Sequence, residues 1–145
     1  MKLRTIIGSA LALTFGLCSL AFASDYYPPE RIHCSLSTAH KLSCEGFNHQ
    51  YLAEDTYTAD MTTRDETFLF HSGVAYYTPD MNESSVFFTY KNSYGKIVKI
   101  KSTNTQIRPN LQTGSWFQHR QDKTIYLCDA GYMNCPITNL PGLHK

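Results

Sequence analysis

Four cysteines set the tightest limit on what this 145-residue chain can fold into. Beyond Cys18 they fall as two local pairs, Cys34 with Cys44 and Cys128 with Cys135. An even number at such spacings in a small chain reads as a framework of two disulfides. Of the possible connectivities we expect Cys34–Cys44 and Cys128–Cys135. The first pair carries its own geometry. In "CSLSTAHKLSC" a turn centred on Ala39 places Cys34 opposite Cys44 and Leu36 opposite Leu42. Side chains alternate along a strand with period two, so these four share one face of a hairpin. Zinc coordination wants thiolates in C-x2-C-like pairs, and neither spacing supplies one. No C-x-x-C redox motif is present either. Each bridge, closing a short loop, should contribute about 2–3 kcal/mol by restricting the unfolded chain.

Cys18 lies in a segment of another kind. The chain opens "MKLRTIIGSALALTFGLCSLAFASDYY", with a basic start at Lys2 and Arg4. An apolar run from Ile6 to Leu20 follows, then the small-x-small triplet Ala21-Phe22-Ala23. We read residues 1–23 as a secretory signal peptide, which places the protein in a secreted or periplasmic compartment. A lipid anchor on Cys18 is disfavoured by Leu17 before it. With no second apolar run, no membrane anchor is expected after cleavage. Cleavage leaves 122 residues, enough for one domain. We divide them into a polar lead-in (24–30), a β domain (31–135) and a C-terminal tail (136–145). Without Lys2 and Arg4, 11 basic residues face 12 acidic ones. So even a balance argues against nucleic acid as the partner, which needs clustered positive charge.

Strand signals dominate the β domain. Val, Ile, Thr, Tyr and Phe recur in short alternating runs broken by Asn, Asp, Gly and Pro. The segment 49–61 is the best helix candidate, but it lacks an apolar stripe and reads as strand or irregular structure. In residues 86–102 a loop Ser93-Tyr94-Gly95 sets Tyr90 against Val98 and Phe88 against Ile100. Gly95 then takes the left-handed position, and Thr89, Lys91, Lys99 and Lys101 face the other way. In "SWFQHRQDKTIYLC" a turn at Gln121-Asp122 would pair Trp116 with Leu127 and Phe117 with Tyr126, with large apolar groups on both faces of a central hairpin. Residues 66–78 form two more apolar runs, split at Ser72-Gly73 by a bulge or bend. The expected fold is all-β: a single small antiparallel β-sandwich or barrel of about seven strands, with two disulfides. Its core should hold Phe68, Phe70, Phe88, Val98, Ile100, Trp116, Ile125 and Leu127, each contributing about 1.5–3 kcal/mol.

The heptapeptide "DKTIYLC", residues 122–128, resembles strand F of an immunoglobulin domain. That resemblance implies a bridge from Cys128 to a strand-B cysteine, with a tryptophan on strand C packed against it. The single tryptophan, Trp116, precedes Cys128 instead of following Cys44. Asp122 also suits a hairpin turn on its own account. We therefore read Cys128 as closing a local loop.

Catalytic motifs are missing: no H-E-x-x-H, no G-x-S-x-G and no phosphate-binding glycine loop. The six histidines are scattered singly. His71 and Ser72 are adjacent, so in a strand they point to opposite faces and cannot act as a catalytic pair. We expect a non-enzymatic protein without a cofactor or metal. Ten tyrosines among 17 aromatics remain after residue 23. Tyrosine is stiff and amphipathic, which suits a face that binds a protein or a glycan. The candidate binding residues are Ser72, Tyr76, Tyr77, Tyr94 and Tyr132. Finally, Ser72-Gly73-Val74-Ala75-Tyr76 is similar to the S-G-x-x-Y pattern of bacterial periplasmic lysozyme inhibitors, which are small disulfide-bearing β-barrels. That resemblance implies inhibition of a secreted hydrolase through a loop around Ser72–Tyr76. The companion Y-x-x-K-G pattern of that family is absent.

Overall fold

The first hairpin forms in the expected register. Strands β2 (Arg31–Leu36) and β3 (Leu42–Glu45) set Cys34 against Cys44 and Leu36 against Leu42. All four side chains are buried, and the Cys34–Cys44 disulfide closes the pair. The second bridge, Cys128–Cys135, is also local, which removes the immunoglobulin connectivity. This computed structural model describes residues 25–139, so the expected signal peptide and the end of the tail lie outside the described residues.

Eleven strands form among the described residues, more than the seven expected, because the two- and three-residue strands Asp25–Tyr26, Ile107–Pro109 and Ile137–Asn139 are too short to carry a pattern of their own. In chain order the others are β1 (Asp25–Tyr26), β4 (Leu52–Tyr57), β5 (Glu66–Thr78), β6 (Glu83–Lys91) and β7 (Ile97–Ser102). They are followed by β8 (Ile107–Pro109), β9 (Phe117–Gln118), β10 (Ile125–Cys128) and β11 (Ile137–Asn139). The large sheet runs β3-β2-β5-β6-β7-β4, with β10 beside β5 and β9 outside β10. It curls until its end strands approach. There the Cys44 N–H donates to the Glu54 carboxylate at 2.9 Å, and the Tyr57 hydroxyl donates to the His40 carbonyl at 2.9 Å. The result is a nearly closed antiparallel barrel, sealed at one seam by side chains. A small sheet, β1-β11-β8, joins the lead-in to the tail. Pro28, Pro136 and Ile137 are fully buried, so both segments pack into the same body as the barrel.

The β6–β7 hairpin matches its expected register, with Tyr90 facing Val98 and Phe88 facing Ile100. Gly95 sits at φ 78° in its loop, a conformation that favours a residue without Cβ. Lys96, next to that loop, pairs with Glu66 at 3.1 Å and ties the hairpin to the start of β5.

The third hairpin is shifted by one residue. Leu127 faces Phe117 and Tyr126 faces Gln118, and β9 lies at an edge of the sheet, not its centre. The loop is longer than a tight turn because local side chains hold it open. Asp122 accepts from the Thr124 hydroxyl at 2.6 Å and the Thr124 N–H at 2.9 Å, while His119 Nδ1 accepts from the Gln121 and Asp122 N–H groups. The bonds from Thr124 hold the Asp122 carboxyl below its ordinary value. A one-residue slip exchanges the faces of a strand. Ile125 and Leu127, expected in the core, are therefore only half-buried, and Cys128 takes the inward position.

Two contacts organise the interior. A Cβ on Gly73 would lie 2.7 Å from the Trp116 ring and 3.0 Å from Phe88, so only glycine lets the indole lie against β5. The Trp116 N–H donates to the Pro136 carbonyl at 2.8 Å, linking this contact to the tail. Tyr90 is fully buried and donates its hydroxyl to the Pro29 carbonyl at 2.8 Å. Burial pushes the Tyr90 phenol well above its ordinary value, with a smaller contribution from Tyr26.

Overpacking at Gly73 should be costly. Gly73→Val is expected to lower unfolding free energy by about 1–3 kcal/mol in urea denaturation, and unchanged stability would show the indole free to move aside. Tyr90 should make the protein sensitive to alkali. Its folded pKa lies above its unfolded value of 10.0, so its contribution is complete below pH 10 and declines as pH rises past it. Tyr90→Phe should cost about 0.5–1.5 kcal/mol at neutral pH and should lose less stability than wild type between pH 9 and 11. Parallel losses for the two proteins would contradict this assignment.

Candidate functional site

One irregularity in β5 sets the site. The register with β6 shifts between Phe70 and Ser72, so His71 is an extra residue in the strand. It is exposed at the bulge, so the regular alternation expected to turn His71 and Ser72 to opposite faces is broken there. The bulge inverts the alternation. Phe68 and Phe70 point inward before it, and Gly73 and Ala75 point inward after it. Ser72, Val74 and Tyr76 consequently face outward. The split expected at Ser72-Gly73 is thus a bulge in one continuous strand.

Ser72–Tyr76 is therefore strand, not the loop that the lysozyme-inhibitor resemblance implies. It is paired on one side with β6 and, from Gly73 onward, on the other with β10. The physical reason is the run of apolar and β-branched residues on both neighbours, which offers the segment a complete ladder.

Cross-strand register carries the outward residues into a row. Phe117 faces Leu127, Leu127 faces Val74, and Val74 faces Phe87, across β9, β10, β5 and β6. Directly opposed residues share a face, so four large apolar side chains lie side by side on the outside of the barrel. Next to them Ile125 faces Tyr76. Tyr76 is 50% exposed and Phe117 47%, while the others are half-buried. The Tyr76 and Phe87 rings meet edge to face at 5.9 Å. A shallow groove of about 250 Å3 runs between this patch and β4, with Asp55, Thr89 and Lys99 on its other wall.

The patch has a basic margin. The row continues from Phe87 to Lys101 on β7, and the next one runs from Ser72 through Thr89 to Lys99. Lys101 pairs with Asp55 at 3.6 Å. Among the described residues Lys99 and Lys91 take part in no ion pair, so their charge is available to a partner.

Of the sequence candidates, Ser72 and Tyr76 lie on this face. Tyr77, one residue on, points the opposite way and is half-buried beneath Arg108. Tyr94 is 82% exposed at the tip of the β6–β7 hairpin, far along β6 from Tyr76. Tyr132 sits half-buried in a 3-10 turn, Tyr132–Asn134, inside the Cys128–Cys135 loop. The five candidates do not form one tyrosine face. Sequence reasoning overlooked Val74, Phe87, Phe117, Ile125 and Leu127 as surface residues. One signal was present: Phe87 and Phe88 are adjacent in a strand, so one of them had to face outward.

The histidines stand apart. His33 meets the Thr67 hydroxyl at 3.0 Å, and His119 holds its loop. Among the described residues no three His, Cys, Asp or Glu side chains cluster as metal ligands, and no helix is long and apolar enough to cross a membrane. The two disulfides fit an oxidising extracellular or periplasmic environment. No protein-family model, curated protein or solved structure matches this chain.

Proposed function

We propose that this chain is an exported, non-enzymatic binding protein that docks another protein on the outer face of its barrel. The row Phe117–Leu127–Val74–Phe87 carries the proposal. An antiparallel sheet that faces water normally carries polar residues on that side, and a contiguous apolar patch on a soluble protein marks an interaction surface. Tyr76 supplies a stiff, half-exposed anchor of the type that dominates interface energetics. Lys99 beside the patch, which takes part in no ion pair among the described residues, favours an apolar partner surface bordered by carboxylates.

A second reading gives the partner a specific class. Ser72, Gly73 and Tyr76 keep their similarity to the lysozyme-inhibitor pattern, and Ser72 and Tyr76 both face outward. Such an inhibitor would cover its enzyme's cleft with a sheet face, since it has no loop there to insert.

Two measurements test these readings. Covalent capture from the exported fraction of the host, with wild type and Tyr76→Ala/Phe87→Ala compared, should lose the partner by about tenfold or more in the variant, or about 1.4 kcal/mol. Equal capture by both proteins would remove this face from the function. Addition of a micromolar excess to a lysozyme turnover assay checks the second reading, and unchanged turnover excludes lysozyme as the partner.

A further inference from the structure

The small sheet holds a second arrangement, away from the docking face. Asp25 faces Thr138 across β1 and β11, and Thr138 faces Arg108 across β11 and β8. The three side chains therefore form one row on one face: a carboxylate, a hydroxyl and a guanidinium. They line a groove of about 340 Å3 together with Tyr77 and Leu111. That size falls at the lower end of small-ligand pockets, about 300–1,000 Å3.

The two charges are held apart. Neighbouring strands are about 4.8 Å apart, so Asp25 and Arg108 are separated by roughly 10 Å at their Cα atoms. Among the described residues neither belongs to an ion pair. Neutral groups orient each one instead. Asp25 accepts from Asn110 Nδ2 at 2.6 Å and from the Thr113 hydroxyl at 3.1 Å. Arg108 donates through Nη1 to the Tyr77 hydroxyl at 3.2 Å and through Nη2 to Asn82 Oδ1 at 2.7 Å, with its guanidinium over the Tyr77 ring. This scaffolding leaves donor capacity on the guanidinium and acceptor capacity on the carboxylate.

Unmet polar groups lie at the same place. Thr138 is only 7% exposed, and its buried hydroxyl has no hydrogen-bond partner. The Nε–H of Arg108 is buried and unpartnered as well. Buried polar groups in folded proteins are normally satisfied, and a pair of exceptions side by side at a groove calls for a missing partner.

We infer that this row is a binding site for a free α-amino acid with an apolar side chain. Asp25 takes the ammonium, Arg108 takes the carboxylate, and Leu111 flanks the side chain. An α-amino acid carries its ammonium and its carboxylate on one small frame, offering a donor to Asp25 and an acceptor to Arg108. A simple anion would meet Arg108 but would face Asp25 across the same groove. A simple cation would meet the reverse problem. Only a ligand carrying both charges satisfies both ends. The site is independent of the barrel's outer face, so either can fail without the other.

The test is an NMR titration of the wild-type protein with L-leucine, 4-methylpentanoate (no ammonium) and 3-methylbutylamine (no carboxylate). L-Leucine should give saturable shifts at the amides of Asp25, Arg108 and Thr138, with both analogues weaker by about tenfold or more. Arg108→Gln and Asp25→Asn should each weaken L-leucine by a similar factor. The analogues need no altered protein, so the result stands even if a variant folds poorly. Absence of saturable shifts with L-leucine through the millimolar range overturns the inference. Equal binding of either analogue overturns it as well, because one charge would then suffice.

Discussion

The surface and the interior of this protein both depend on a single extra residue in β5. Without the bulge at His71, Val74 and Tyr76 would continue the inward alternation of Phe68 and Phe70. Gly73 and Ala75 would then face water. The bulge reverses this, delivering the smallest residues of the strand to the interior where Trp116 must fit. It also bends the strand that serves the most partners. β5 pairs with β2 in its first part, with β10 in its last part, and with β6 along most of its length. The core contact and the outer patch are two results of one change of register.

What the sequence disclosed follows from distance along the chain. The Cys34–Cys44 and β6–β7 hairpins are local, and their registers follow from a turn and a period of two. The third hairpin is local too, yet its register slipped. Asp122 was read as a member of a tight turn, whereas its bonds to Thr124, with those of His119, stabilise a wider loop. Strand order is a different matter. Nothing in residues 66–78 indicates that their inner edge will pair with β2 at one end and β10 at the other, because that pairing is fixed by tertiary packing. Tyr76 was recognisable as a candidate from composition, but its neighbours Leu127 and Phe117 join it only through the register of three strands. The row from Asp25 to Arg108 joins the two ends of the described chain, and no local pattern announces such a meeting.

The two proposed sites have contrasting physics. The barrel's outer face is apolar with a basic margin, shallow and built on continuous ladders, so it suits a broad partner with little rearrangement. The Arg108 groove carries opposite charges oriented by neutral neighbours, so it suits a small ligand whose charges match. Both sit on strands, which hold side chains more firmly than loops do.

The seam between β3 and β4 has a mechanical consequence. The barrel is stitched there by Glu54 and Tyr57 side chains, not by a continuous ladder of backbone bonds. Side-chain stitches release more readily than a ladder, so the barrel has a built-in line of opening. The Cys34–Cys44 bridge fastens β3 to β2 beside that line. A parting seam must therefore leave β3 with the β2 side and carry β4 away with β7. The bridge thus acts as a hem, fixing on which side of the closure the fabric can gape.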